Sequence, residues 1–234
     1  MTNCWLAPPQ NSLLTTLVLL LGLSGVVSLP AAIQADDGIE LRPLRTISPS
    51  QLASILPPGT QVLTERSAIE AFLAALEGTP PDWSTVYGRG HQDPNHDERL
   101  FNLNRVRDAA RQGNPVLSRR VAFVWPGELS GYDPETGSYS VAVGPEFNPT
   151  GWGMVRFKPE EFPNNLRVKP NKELAGRISR SLAKHEKLHV SVVMAGVLIP
   201  SESIIYDFSH EEEGVGVIMP VVSVEQVEVL FEAR

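Results

Sequence analysis

Apolar positions follow three regimes along this chain. Residues 13–29 (LLTTLVLLLGLSGVVSL) are a nearly unbroken apolar run. From about 47 to 115 the apolar residues recur at helical spacing. From about 118 to 232 they alternate, or gather in short Val- and Ile-rich runs.

In the middle regime, Ser48-Pro49 reads as the N-cap and first residue of a short helix through Leu56, ended by Pro57-Pro58-Gly59. Ile69, Phe72, Leu73 and Leu76 lie at i, i+3, i+4 and i+7, and Ser67 with Glu70 spells a capping box. Gly78 and Pro80-Pro81 stop that helix. Residues 79–96 read as a loop. A third helix is expected from about Asp97 to Gln112, with Leu100, Leu103, Val106 and Ala110 inward.

In the last regime, VAFVW (121–125) and SYSVAVG (138–144) alternate around GYDPETG, which predicts a β-hairpin. WGMVRF (152–157) reads as a further strand. Asn171 to about Lys187 reads as a helix on Leu174, Ile178 and Leu182. Three β-like runs follow, at 190–199, 203–208 and 215–231, the last broken in two by Pro220.

The expectation is therefore an α+β chain. A helical region (47–115) packs on a β-rich domain (118–232), an antiparallel sheet or small β-barrel with one inserted helix at about 172–187. A helix among barrel strands resembles the general OB-like layout, and that likeness implies no function.

Composition assigns the first regime. The first 35 residues hold no Asp, Glu, Lys or Arg, and the apolar run is short for a bilayer span. Ile33 and Ala35 before Asp36-Asp37-Gly38 suit signal-peptidase cleavage. Residues 1–35 read as a signal peptide and 36–46 as a polar N-terminal tail. An uncleaved anchor is the competing reading, but no basic stop-transfer flank follows the run. The expected location is secreted or periplasmic, without stable membrane insertion once the signal is removed. Cys4 is the single cysteine and lies inside that segment, so the mature chain has no disulfide and no thiolate chemistry.

The formal net charge of −7 falls entirely after residue 35 and argues against a nucleic-acid partner. The basic clusters Arg105–Arg111 and Arg177–Lys187 read as solvated helix faces. No G-x-S-x-G elbow, P-loop or dinucleotide fingerprint is present.

Four segments offer candidate chemistry. His185-Glu186-Lys187-Leu188-His189 matches H-E-x-x-H, in which two His one helical turn apart hold zinc and the Glu polarises its water. Three features oppose it. Lys187 puts a cation between the ligands, Val190-Ser191-Val192-Val193 favours a strand, and no third ligand follows at the metzincin spacing. The competing reading is the basic end of a helix, with Lys184, His185 and Lys187 complementing its dipole. The second candidate, His91, Asp93, His96 and Asp97 in GHQDPNHDER, is weighed against a polar loop capping a helix at Asn95 or Asp97. The third, the acidic YDFSHEEEG (206–214), lacks the Ca²⁺-loop pattern. The fourth is the aromatic set Trp83, Trp125, Tyr132 and Trp152, a ligand platform or simply core.

The sequence therefore supports an exported, non-catalytic binding or envelope-associated protein with no catalytic, metal or cofactor residues. Its ligand would be a small molecule or another protein. The alternative is a zinc-dependent hydrolase built on His185, Glu186 and His189.

Overall fold

A computed structural model describes residues 39–44, 48–163, 165–209 and 213–232. The segment read as a signal peptide lies outside these residues. In chain order the described elements begin with β1 (Ile39–Leu44), α1 (Pro49–Ile55), β2 (Gln61–Val62), α2 (Arg66–Glu77), α3 (Trp83–Tyr87) and α4 (His96–Arg111). Next come β3 (Arg120–Asp133), β4 (Ser138–Val143), β5 (Asn148–Thr150), β6 (Gly153–Val155), β7 (Lys158–Pro159) and β8 (Arg167–Pro170). The chain continues through α5 (Lys172–Ala183), β9 (His189–Leu198), β10 (Ile204–Phe208) and β11 (Gly216–Glu232).

Six strands close a barrel in the order β1-β8-β4-β3-β9-β11, with β11 pairing back to β1. Closure depends on a segment that the sequence presents as tail. Ile39 and Leu41 alternate with polar residues, and β1 uses that alternation to run parallel to both β8 and β11. Leu41 is fully buried. The barrel is thus mixed rather than antiparallel. The expectation of a tail fails because a six-residue run shows its strand character only when two edges are offered to it.

Alternation sorts the barrel interior from its outside. Val121, Phe123 and Trp125 on β3, and Val190, Val192 and Met194 on β9, join one cluster with Leu41, Tyr139, Val168 and Val229. The opposite faces are also covered. Ala122, Val193, Ala195 and Leu230 pack with Leu52 and Leu56 of the α1 segment. Burial on both faces explains why β9 reads as a continuous apolar run.

The apolar stripe of α2 (Ile69, Phe72, Leu73, Leu76) and that of α5 (Leu174, Ile178) belong to the main cluster. Ser48 caps α1 as expected, accepting from the Gln51 N–H. The Ser67–Glu70 capping box does not form. The N-cap of α2 is Glu65, and Glu70 instead accepts from the Gly151 N–H (2.6 Å) and from Arg66 (2.8 Å). A carboxylate that can reach both a cation and a free loop N–H gains more there than from the helix end.

β11 is one strand of 17 residues, with no break at Pro220. The carbonyls of Ile218 and Val222 accept from the Arg156 and Glu160 N–H groups. Pro220 lies between them and turns the same way. Its missing N–H falls where β6 has ended at Val155 and β7 has not begun at Lys158, so no rung is lost. The strand bends instead at a register shift between Val224 and Gln226. There a side chain at Gly196 would place its Cβ 2.0 Å from the Ser223 carbonyl oxygen, so only glycine fits. The bend lets the first half of β11 pair with β10 and the second half with β9.

The expected inward face of α4 holds at Leu100 and Leu103, which pack partly buried against the core, and fails at Val106 and Ala110. Phe101 and Val106 are exposed, while Arg111 is buried. Asn104 faces in and replaces a strand partner, donating to the Tyr206 carbonyl (2.9 Å) and accepting from its N–H (2.8 Å) on β10. Arg111 donates to Ser203 Oγ and to the Ile204 carbonyl. The helix covers a sheet edge, whose free backbone groups demand polar partners. The Arg105–Arg111 cluster is therefore not wholly a solvated face.

Candidate functional site

The sequence candidates disperse. Helix α5 ends at Ala183, two residues before the first imidazole of HEKLH. The Ser181 carbonyl takes the N–H groups of Lys184 and Glu186, and His185 stands in the left-handed region (φ 57°). His189 then opens β9 opposite Glu128, which Lys187 also reaches at 3.2 Å. The one-turn helical spacing that H-E-x-x-H needs to bring both His to one ion is not formed. The cause is nonlocal. Val190, Val192 and Val193 complete the barrel beside β3, and that burial outweighs helix continuation.

GHQDPNHDER is an ordered approach to α4. Asp93 accepts from Arg99 (2.9 Å) and from the Asn95 N–H (3.0 Å), with the Arg89 N–H more distant at 3.4 Å. The Arg99 bond, followed by the Asn95 N–H, holds its carboxyl at about 2. Asn95 is the N-cap of α4, without a side-chain cap bond. His96 is buried, 4.8 Å from the Phe208 ring centroid, and its Nδ1 lies 3.1 Å from Asp97. Asp93 thus serves as a latch. Because its folded value lies below the ordinary one near 3.9, its stabilisation is complete above about pH 4 and lost as pH falls through about 2. Carboxyl-carbon NMR should show Asp93 titrating near 2, and a midpoint near 4 would refute the latch.

The side chain of His91 and the acidic run at 210–212 lie outside the described residues. Among the described residues no group of three or more His, Cys, Asp or Glu is placed to hold a metal ion. No described helix is long and apolar enough to cross a membrane. The four aromatics do not form one platform. Trp83 packs on Tyr206 and Phe208, Tyr132 on Tyr139, and Trp125 and Trp152 are buried.

The structure offers a site elsewhere, on the free edge of β3. Odd residues of β3 face β9, and even residues face the opposite edge. β2 covers that edge up to Ala122, whose carbonyl accepts from the Leu63 N–H (2.8 Å). β4 resumes at Gly127, and the Pro126 carbonyl accepts from the Gly144 N–H (3.1 Å). Val124 lies between the two, and among the described residues the ladder has no rung there on this side. A hollow of about 280 Å³ occupies the gap. Phe123, Trp125 and Phe157 give it an apolar wall, and Thr64, Asn148 and Ser191 supply neutral polar groups. Glu146 stands exposed at its rim.

Trp125 is boxed in by other rings. Phe123 lies 6.2 Å from it between centroids and Phe162 lies 5.7 Å away, while Phe123 stacks on Phe157 at 5.3 Å. The Arg156 guanidinium carbon sits 5.9 Å from the Trp125 ring and 5.5 Å from that of Phe147. Trp125 Nε1 and Arg156 Nε are both buried without a hydrogen-bond partner among the described residues. The ion pairs of the described residues do not include Arg156. Phe147 and Phe162 are both partly open to solvent. Arg156 escapes sequence analysis because it is one basic residue in the two-residue link between β6 and β7. Its only signal is the set of aromatic residues around it, five apart at Trp152, Phe157 and Phe162.

A larger hollow of about 350 Å³ lies between the β3–β4 hairpin and α5, lined by Tyr132, Tyr139, Pro170 and Leu182 among others. No charged residue lines it, so the chemistry converges at the β3 edge. The fold defines a closed six-stranded α+β barrel with additional strands. No protein-family model matches the chain, and neither curated proteins nor solved structures yield a match.

Proposed function

We propose that this chain is an exported, secreted or periplasmic binding protein without catalytic activity. It takes a small ligand with an apolar part into the hollow beside Val124. The observation that carries this reading is the missing rung at Val124, set against the aromatic wall of Phe123, Trp125 and Phe157. A sheet edge left open beside apolar side chains gives a ligand both hydrogen-bonding backbone and desolvated surface. The helical region (47–115) packed on the barrel is part of the binding unit in this reading, since Leu63 and Thr64 form one wall of the hollow. Export rests on the uncharged first 35 residues and the Ala35–Asp36 junction.

Titration with the neutral fluorophore N-phenyl-1-naphthylamine tests the pocket. Saturable one-to-one binding is expected, abolished by Thr64→Trp, which fills the hollow, with the melting temperature held within a few degrees. Binding that does not saturate, or that survives Thr64→Trp, overturns the assignment. N-terminal sequencing of the exported protein tests the processing. A chain beginning at Asp36 is expected, and one that retains Met1 overturns cleavage.

A further inference from the structure

Resting on that reading of the pocket, we infer that its ligand is a short extended peptide. One residue of the peptide pairs with Val124, and its apolar neighbours meet the aromatic wall. The free groups at the gap set this class. Val124 turns both its N–H and its carbonyl to the open side of β3, and among the described residues neither is paired there. Pro126, the next residue facing that way, has no N–H to add. The edge therefore lacks one donor and one acceptor carried together. One residue of an antiparallel strand supplies both, because opposite residues of a hydrogen-bonded pair exchange two N–H···O bonds. A purely apolar molecule would leave both groups bare, and an anion would answer only the N–H.

Length and direction follow from the flanking strands. From Ala122 to Pro126 the strand rises about 13 Å, at about 3.3 Å per residue. The Leu63 N–H holds the Ala122 carbonyl at one end, and the Gly144 N–H holds the Pro126 carbonyl at the other. Roughly three residues fit between them. The middle one lies against Val124, and its side chain falls on Val124's face, which joins the Leu52 and Leu56 cluster. The residues on either side turn to the opposite face, that of Phe123 and Trp125. There the Phe123–Phe157 stack and the Trp125 ring offer them carbon. An antiparallel partner directs its N-terminus toward the Pro126 end, where the chain leaves β4 through Gly144. Glu146 follows two residues later and is the one charged residue in the lining. A free α-ammonium group is therefore the charge that this end accepts. Glu146 is exposed, so water and salt limit its pull. Thr64, Asn148 and Ser191 remain for the outer amides of the peptide.

The test is displacement of N-phenyl-1-naphthylamine from the exported chain by blocked tripeptides, beginning with acetyl-Leu-Ala-Leu-amide. Saturable one-to-one displacement is expected. Exchanging the central Ala for lactic acid puts an ester where the pairing N–H was, and should weaken binding at least fivefold. The same exchange at the third residue should change binding less than twofold, because that N–H points away from β3. Acetyl-Ser-Ala-Ser-amide, without apolar neighbours, should bind at least tenfold more weakly. Removing the acetyl group from the first peptide should tighten binding two- to threefold at low salt, and Glu146→Gln should cancel that gain. Equal effects of the two ester positions, or serine and leucine peptides binding alike, would sink the paired-peptide inference. A gain from the free amine that persists in Glu146→Gln would overturn the direction of the peptide. If no tripeptide displaces a fluorophore that itself binds one-to-one, the peptide inference fails and the pocket stands. If the fluorophore does not bind either, the pocket fails and the inference with it.

Discussion

Replacing Glu77 by Gln is expected to lower the unfolding free energy by about 3–5 kcal/mol, the usual cost of removing one partner of a buried ion pair. Glu77 is the last residue of α2, with its side chain 1% exposed. It forms ion pairs with Arg111, itself 2% exposed, and with Arg107 at 2.9 Å. Arg107 also donates to the Thr79 carbonyl, and Arg111 holds Ser203 and Ile204. The phenol ring of Tyr206 lies beneath both guanidinium groups, 5.8 and 6.0 Å from their central carbons. Burial first, and then the charge of Glu77, push its hydroxyl far above the ordinary tyrosine range, so it stays neutral. One carboxylate thus balances two arginines at the junction of α2, α4 and β10. Asp108 adds only a 3.4 Å contact from a position 42% exposed.

Gln at position 77 keeps the shape and deletes the charge, stranding Arg111 in the interior. Urea unfolding checks the value, and the melting temperature should fall by about 2–4 °C per kcal/mol for a chain of this size. The double variant Glu77→Leu/Arg111→Met should recover most of the loss, because a matched apolar replacement removes the desolvation penalty of both charges. A loss below about 1 kcal/mol in Glu77→Gln would show that water reaches the pair, as it does for surface ion pairs.

The second large effect is expected at Leu41. It is fully buried on β1, opposite Val229 of β11 on one side and Pro170 of β8 on the other. Leu41→Ala should cost about 2–5 kcal/mol, the range for emptying a core leucine site. The location of the damage is as diagnostic as its size. β1 is the only strand joining β8 to β11 in the barrel order, so weakening it loosens both neighbours at once. Hydrogen exchange should show the amides of 167–169 and 229–231 losing protection together. The β10 amides, paired to the other half of β11, should be unchanged. Uniform loss across all strands would mean that β1 is ordinary core and not the closing stave.

The same two places show what could be read before the fold was known. The stripe of α2 and its end at Gly78 are local, because periodicity and a left-handed cap act within a few residues. The hairpin is local too, since Asp133 accepts from the Glu135 N–H and from Thr136 and so turns the chain by itself. HEKLH was legible as a boundary because β-branched residues follow it at once. The Val124 gap was not legible. It exists because β2 stops and β4 starts on either side of a residue whose own sequence context, VAFVW, is uninterrupted strand.

The sequence alone determined the helices whose apolar stripes repeat within one turn, the hairpin and the short Val- and Ile-rich strands. Each rests on interactions between residues close in the chain. Only tertiary structure decided that Ile39–Leu44 closes a barrel, that α4 turns Asn104 and Arg111 inward, that Pro220 costs β11 no rung and that Arg156 comes to rest between Trp125 and Phe147. Each depends on which groups distant segments leave unpaired, and no local pattern encodes that.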